Sequence, residues 1–320
     1  MPRVLWTASV AWVNYKYSIG SQRGVTSHMD KIEVSGPNAQ QIEFWNGEAG
    51  SHWSERDDQM SLMLRPLGAE AIALAAPDTG EAVLDIGCGC GDTTLELAVA
   101  VGATGRVVGV DISAPMLVTA NAKRAQLPAE LDGNCSFELA DASSHDFTPA
   151  VFDLLFSRFG VMFFADPATA FANMRGALKP GGRLAFMCWG PAEQNDWIMV
   201  PMQAAREHLP APEPAEPRAP GPFAFADTDY VSEFLQAAGF TNIEFEPTQP
   251  NMRMGNGSSL DKSVEFFMEM GPVSSGLVNQ PDAVRSAVRE SVRAAIAGSY
   301  VDGYVELQGQ CWLVTASNPG

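Results

Sequence analysis

The segment that most restricts the fold is Val83-Leu84-Asp85-Ile86-Gly87-Cys88-Gly89-Cys90-Gly91-Asp92-Thr93-Thr94. A short apolar run enters it, glycines alternate through its middle, and an amphipathic run leaves it. That pattern predicts a strand, a tight turn and a helix. Glycines at 87, 89 and 91 permit positive φ and let a ligand touch the backbone, while the following helix start presents free N–H groups. The dinucleotide fingerprint Gly-x-Gly-x-x-Gly needs its third glycine at position 92, which is Asp. A carboxylate beside a helix start repels a pyrophosphate. The turn therefore predicts a ligand without phosphate at this point, and one that is free to be cationic.

Around this turn the chain alternates. Upstream, Gln40–Trp45 and Trp53–Ala76 have helical spacing, with a glycine-containing break between them and a turn at Pro77-Asp78-Thr79-Gly80. Strands are predicted at Ala82–Ile86, Arg106–Val110, Cys135–Leu139, Phe152–Ser157 and Arg183–Cys188. Helices fall between them at Thr93–Val101, after Ser113-Ala114-Pro115, and from Asp166-Pro167 to Leu178. Such alternation means βαβ units and a parallel sheet covered on both faces, a doubly wound α/β fold. Beyond residue 190 the rhythm changes. Helices are expected at Asn195–Leu209, Tyr230–Ala238 and through most of Leu260–Ala297, a Pro-rich loop at 210–222, and strands at Asn242–Phe245 and Gln310–Ala316.

Composition narrows the function classes. Hydrophobic residues make up 46% of the 320 and charged ones 18%, values of a globular protein able to bury a core. The net charge of −18 opposes a phosphate backbone and an anionic membrane surface alike, so neither is expected as a partner. The five cysteines (88, 90, 135, 188 and 311) are odd in number and scattered, which predicts free thiols in a reducing, cytoplasmic setting. Four histidines without metal-ligand spacing predict no metal site. Residues 1–28 contain Arg3, Lys16 and Arg23 but no acid, and Val4–Val13 is too short to span a bilayer. The expectation is a disordered or non-native leader, with Met29 as the start of the protein proper. No run approaches 18 apolar residues, so no stable membrane anchor is expected.

With these motifs in place, the sequence resembles the class I S-adenosylmethionine (SAM) methyltransferases. The first family motif, acidic-x-Gly-x-Gly-x-Gly, is matched by Asp85, Gly87, Gly89 and Gly91. Asp111, 20 residues after Gly91, stands where the family binds the ribose hydroxyls, with Ile112 beside it. Asp141 and Ala142 match the pair that faces adenine. Ser157-Arg158-Phe159-Gly160-Val161-Met162-Phe163-Phe164 follows the fourth strand, and Leu178-Lys179-Pro180-Gly181-Gly182 matches the turn before the fifth. The match covers about residues 80–190 and extends through Ala237-Ala238-Gly239-Phe240 to the closing strand. The nearest likeness is to the ubiquinone/menaquinone C-methyltransferase-like group (methyltransferase type 11), a label that covers many acceptors. The resemblance implies a Rossmann-like, mostly parallel seven-stranded sheet with a helical cap. It also implies SAM as cofactor, bound by Asp85, Gly87, Gly89, Gly91, Asp111, Ile112, Asp141, Ala142 and Ser157. The expected organisation is a cap over 29–79, a SAM-binding core over 80–190, and acceptor-side helices with closing strands over 191–320. The reaction implied is in-line transfer of a methyl group to a partly apolar small molecule through a C, O, N or S nucleophile.

Single residues carry paired readings. Asp85 either contacts the ligand or ties down the turn. Trp45, His52 and Trp53 are either a flap hinged at Gly47 and Gly50 or helix-docking residues, and His52 is the one candidate base. Arg158 either binds an acidic acceptor or pairs with a surface carboxylate. Phe159, Met162, Phe163 and Phe164 are divided between an acceptor pocket and the core, with Trp189, Asn195 and Trp197 on its rim. Cys88 and Cys90 are read as small residues pointing away from the ligand, and His145 and His208 as surface histidines. Two other functions compete. A SAM-binding regulator without turnover is disfavoured by the intact motif. An NAD-dependent oxidoreductase is disfavoured by Asp92 and by the missing Tyr-x-x-x-Lys.

Overall fold

In the computed structural model, residues 32–128, 131, 133–210, 218–255 and 257–320 are described. The expected leader over 1–28, Met29, and most of the Pro-rich loop lie outside the described residues. Three helices precede the sheet: α1 (Ala39–Asn46), α2 (Glu48–Glu55) and α3 (Asp57–Ala75). The predicted glycine break shrinks to Gly47 alone, because Gly50 lies inside α2. A Cβ at Gly50 would stand 1.9 Å from the Trp45 carbonyl oxygen and 2.7 Å from Ser113 Oγ. Gly50 thus serves close packing and is no hinge. Helix α3 buries Met60, Met63, Leu64, Leu67, Ala71 and Ala75 along one face. Its end is tied to the sheet by Arg183, which donates to the Ala75 and Ala76 carbonyls at 2.9 and 3.0 Å and pairs with Glu81.

The alternating region follows its predicted order: β1 (Ala82–Ile86), α4 (Asp92–Val101), β2 (Arg106–Asp111), α5 (Ala114–Arg124), β3 (Cys135–Leu139), β4 (Phe152–Arg158), α6 (Pro167–Ala177) and β5 (Leu178–Trp189). The turn expected at Lys179–Gly182 lies within β5. Phe152 pairs with Leu178 but Leu154 with Arg183, so the Lys-Pro-Gly-Gly stretch bulges out of the ladder. Next come α7 (Asp196–Ala205), α8 (Thr228–Ala237), β6 (Thr241–Thr248), β7 (Asn251–Met254), α9 (Leu260–Met268), α10 (Gly271–Gly276), α11 (Asp282–Ile296), β8 (Tyr300–Val301), β9 (Tyr304–Gln308) and β10 (Cys311–Ser317).

Seven strands form the main sheet in the order β3-β2-β1-β4-β5-β10-β6. The first five are parallel, and β10 runs antiparallel to both β5 and β6. The order reverses between β1 and β4. Ligands bind at such a switch point, outside the strands' carboxyl ends. A second, three-stranded antiparallel sheet, β7-β9-β8, was not expected. Its strands are short, and the Asp302-Gly303 hairpin joining two of them carries only a weak sequence signal. Ser113 and Asn195 precede α5 and α7 without capping them through their side chains. Ser113 Oγ donates to the Trp45 carbonyl at 2.7 Å, and Asn195 Oδ1 accepts from Gln310 N–H at 2.9 Å.

Candidate active site

A cavity of about 1500 Å³ opens at the switch point. One wall is the glycine turn. Gly87, Gly89 and Gly91 adopt φ of +66°, +55° and +85°. A Cβ at Gly87 would stand 2.5 Å from Gly160 Cα, and one at Gly89 would stand 2.8 Å from Met116 Cε. Side chains are thereby excluded where a ligand must reach the backbone. Gly87, Cys88, Gly89, Asp111, Ile112, Asp141 and Ala142 all line the cavity. Asp111 accepts from Gly89 N–H at 2.7 Å and from Ser113 N–H at 2.8 Å, one bond to each carboxylate oxygen. Burial raises its pKa, against those backbone hydrogen bonds. Asp141 Oδ1 accepts from Ser143 N–H at 2.9 Å and from Asn38 Nδ2 at 3.0 Å.

Three residues expected on this wall lie behind it. Asp85 is fully buried, and one of its oxygens accepts from the Thr93 and Thr94 hydroxyls at 2.8 and 2.6 Å. Its other oxygen has no partner, and burial pushes its pKa up to about 6. Asp85 therefore anchors the start of α4 from beneath. Gly91 packs against Phe137 and Ala120 and is not among the cavity-lining residues. Ser157 is buried too, donating to the Ile86 carbonyl at 2.7 Å and accepting from Gly160 N–H at 3.2 Å. Each shapes the turn, and none lines the cavity. Cys88 and Cys90 do line it, contrary to the expected outward orientation, but both thiols are free and burial raises their pKa.

A charge cluster locks the helical cap to this wall. Lys123 on α5 meets Asp57 of α3 at 2.7 Å and Asp92 of α4 at 2.6 Å. Ser61 of α3 donates to Asp92 as well. Burial pushes Asp92 up, but Lys123 and Arg158 more than offset it and leave its carboxyl below the usual range. Asn38 and Asn46 complete the attachment. Asn38 bridges Asp141, Ser143 and Ala165 N–H, while Asn46 donates to the Ile112 carbonyl and accepts from Ala114 N–H. Apart from Asp92 and Arg158, none of these residues was expected in the site. A lone Asn or Lys outside a motif carries no signal of what it will reach across 31 or more positions.

The remaining walls are aromatic and cationic. Trp45 stands edge-on to Trp53 at 5.8 Å and to Phe163 at 5.4 Å, and all three line the cavity. These rings dock the cap onto Phe163 and also face the cavity. His52 lies on α2 at the cavity, exposed, and its ring has no partner among the described residues. Phe159, Met162 and Trp189 also line it, Phe159 stacking on Trp189. Arg158, at the end of β4, is half-buried on the lining and has no carboxylate within 4.0 Å among the described residues. Its one hydrogen bond is a long 3.4 Å contact to the Leu64 carbonyl. The expected alternative, an ion pair at the surface, is not what forms. His145 and His208 lie away from the cavity, paired with Glu138 and Ser291 at 3.0 and 2.8 Å.

Comparison with known proteins agrees with this geometry. A family model described as a methyltransferase domain matches residues 83–182. Aklanonic acid methyltransferase DauC of Streptomyces sp. (strain C5) is 33% identical over 151 residues, 45% of this chain and 67% of the relative. A ubiquinone/menaquinone biosynthesis C-methyltransferase of Marinomonas sp. (strain MWYL1) is 35% identical over 132 residues, 41% of this chain and 52% of that protein, about half its length. Among solved structures, phosphoethanolamine N-methyltransferase 2 of Haemonchus contortus, in complex with S-adenosylhomocysteine (SAH), shares the fold. Its TM-score is 0.51 at 17% identity, covering 87% of this chain and 59% of that one.

Proposed function

We propose that this chain, which belongs to the class I SAM-dependent methyltransferases, takes as its acceptor a small, partly apolar molecule whose acidic group is held by Arg158. The observation that carries the reading is Arg158 itself: a half-buried guanidinium on the cavity lining, without an ion-pair partner among the described residues. Arg206, another arginine on the lining, is exposed. In a chain of net charge −18, a sheltered cation that acts on Asp85, Asp92 and Glu96 only at longer range is where an anion can be retained. The relative named for aklanonic acid supports an acidic acceptor.

The cavity fits SAM. Asp111 keeps lone pairs beyond its two backbone bonds, which supports its accepting both ribose hydroxyls. Asp141 and Ala142 suit the adenine edge, and the Cβ-excluding turn at Gly87 and Gly89 suits the methionyl chain. When bound, SAM supplies an electrophilic sulfonium methyl and a neutral thioether leaving group. The volume of about 1500 Å³ exceeds the ~300–1,000 Å³ usual for one ligand, which leaves room for the acceptor beside it. The protein's task is then alignment and exclusion of water, for which effective molarities of ~10⁵–10⁸ M set the scale. Arg158 favours the ionised form of the acceptor's acid group, and an oxygen already ionised needs no protein base. His52, exposed and unoriented, is not required by this scheme.

In this reading residues 32–79 cap the site, 80–190 hold SAM and 191–320 shape the acceptor chamber. The setting is reducing and cytoplasmic, on the support of five free, buried cysteines. Among the described residues no helix is long and apolar enough to cross a membrane. Nucleic acid stays outside the reading because of the charge.

Arg158→Met tests it, using SAH formation with a panel of aromatic carboxylic acids and the matching amides. The acids should be turned over by the wild type, and the variant should raise their KM about tenfold to a hundredfold. SAH affinity should stay within about twofold. Weakened SAH binding with unchanged acceptor KM would reassign Arg158 to the cofactor's own carboxylate.

A further inference from the structure

Helix α1 begins with an asparagine that does not cap it. Asn38 occupies the N-cap position, where its residue type is among those preferred, yet its side chain accepts nothing from the first turn. The amide is spent on distant segments instead. Nδ2 donates to Asp141 Oδ1 at 3.0 Å and to Ser143 Oγ at 3.1 Å, and Oδ1 accepts from Ala165 N–H at 2.9 Å. Both amide hydrogens and the carbonyl are engaged. A flipped amide would set an oxygen against the Asp141 carboxylate, so the orientation is fixed. Asn38 is only 3% exposed and lines the cavity, and it lies outside residues 83–182, which the family model matches.

The consequence falls on Asp141. Its Oδ1 accepts from Ser143 N–H at 2.9 Å as well as from Asn38, which fills that oxygen's two lone pairs. Its Oδ2 has no partner among the described residues and is not one of their sealed, unpartnered polar atoms. Oδ2 is therefore the oxygen left to accept on the cavity lining. The backbone of this loop is held separately. Asn173 of α6 donates to the Ala142 and His145 carbonyls at 3.0 and 2.9 Å. Asn38 thus governs how the carboxylate is turned, not where the loop lies. Without it, the Ser143 N–H alone holds the side chain, and a carboxylate can pivot on a single bond.

We propose that Asn38 is a positioning residue for base selectivity: it holds Asp141 so that Oδ2 admits a purine bearing an amino group and refuses one bearing an oxo group in its place. An ionised carboxylate only accepts hydrogen bonds, so it attracts an amino donor and repels a carbonyl oxygen at the same position. Selectivity of this kind needs the repulsive element held still, because a carboxylate free to turn swings its charge away from the oxo group. The proposal rests on the methyltransferase reading above and deepens it. The resemblance implies that Asp141 meets the base, and control of that contact comes from the cap. Asn46, at the other end of α1, is the natural comparison. It donates to the Ile112 carbonyl at 2.7 Å and accepts from Ala114 N–H at 3.0 Å, without bonding to Asp141.

The test titrates the full chain with SAH and separately with S-inosylhomocysteine, which differs only in carrying an oxo group and a ring N–H where adenine has its amino group and bare ring nitrogen. The wild type should prefer SAH by about thirtyfold or more. Asn38→Asp keeps the size of the side chain and the acceptor for Ala165 N–H but loses the donor, whereas Asn38→Ala loses both. Each should cut the preference below about fivefold, and either one that folds decides the matter. Asn46→Ala, which loosens the same helix, should keep the preference within about twofold of the wild type, whatever it does to the two affinities. A merely structural role for Asn38 predicts that same pattern, with both affinities falling together and the preference intact, and this result overturns the proposal. Equal binding of the two nucleosides by the wild type overturns it without any variant having to fold. If the wild type binds neither, the methyltransferase reading fails and this proposal falls with it.

Discussion

The two sides of the cavity are built by different means. The cofactor wall is mostly backbone. A run of alternating glycines is held by Asp111 through bonds of 2.7 and 2.8 Å, and anchored from beneath by Asp85. The opposite wall, proposed to receive the acceptor, is mostly side chain, with rings from separate elements touching stacked, tilted or edge to face. Backbone positions fixed by hydrogen bonds tolerate little change, whereas a ring surface can be reshaped one side chain at a time. The same scaffold can thus keep one cofactor while its acceptor changes.

The sharpest way to break this contrast is to remove the lock behind the cofactor wall. Lys123→Met leaves Asp57 and Asp92 as largely buried carboxylates without their shared cation. Urea unfolding at neutral pH should show a loss of about 3–5 kcal/mol. A loss below about 1 kcal/mol would mean that the cap is held mainly by its rings, and that the two walls are not so different.

A smaller effect concerns the acid beneath the turn. Burial raises the folded pKa of Asp85 from 3.8 to about 6, so the native state binds the proton more tightly than the unfolded chain. The stability this group contributes is present in full below its unfolded pKa and is lost as pH rises through the folded one. At about 1.36 kcal/mol per unit, the loss is about 3 kcal/mol between pH values of about 4 and 6. Asp85→Asn should flatten that segment of the stability–pH curve. Parallel curves for the two proteins would place Asp85 in a wetter site than its burial indicates.

The contrast also explains what the sequence made legible. Backbone-built features depend on local residue types, so the glycine turn, the order of the parallel strands and the positions of Asp111, Asp141 and Ala142 could be read from spacing and resemblance. Features built by distant side chains could not. Asn38, Asn46, Asp57 and Lys123 act only once the cap is folded onto the core, and the pairing of Phe159 with Trp189 depends on β4 and β5 being neighbours. Gly50 shows the reverse error. A glycine between tryptophans suggested a hinge, but it is there because α2 crosses too close to Trp45 for any side chain. Gly91 and Ser157 were read one layer too far forward, whereas Asp85 ties down the turn, one of its two readings. A motif shows that a residue shapes the turn, not whether it faces the ligand or supports the residues that do.

The most direct test of the account is calorimetric titration of SAH into the wild type and Asp111→Ala, with NAD as the control ligand. Asp111 both faces the cavity and ties Gly89 to Ser113, so it joins the geometry of the wall to the proposed binding of the cofactor. The account predicts that SAH binds the wild type and binds the variant about ten- to a hundredfold more weakly, a loss of about 1.5–3 kcal/mol. The freed N–H groups should lower the variant's stability by about 1–3 kcal/mol, and NAD should give no heat with either protein. Equal SAH affinity in the two proteins, or NAD binding as strong as that of SAH, would contradict it.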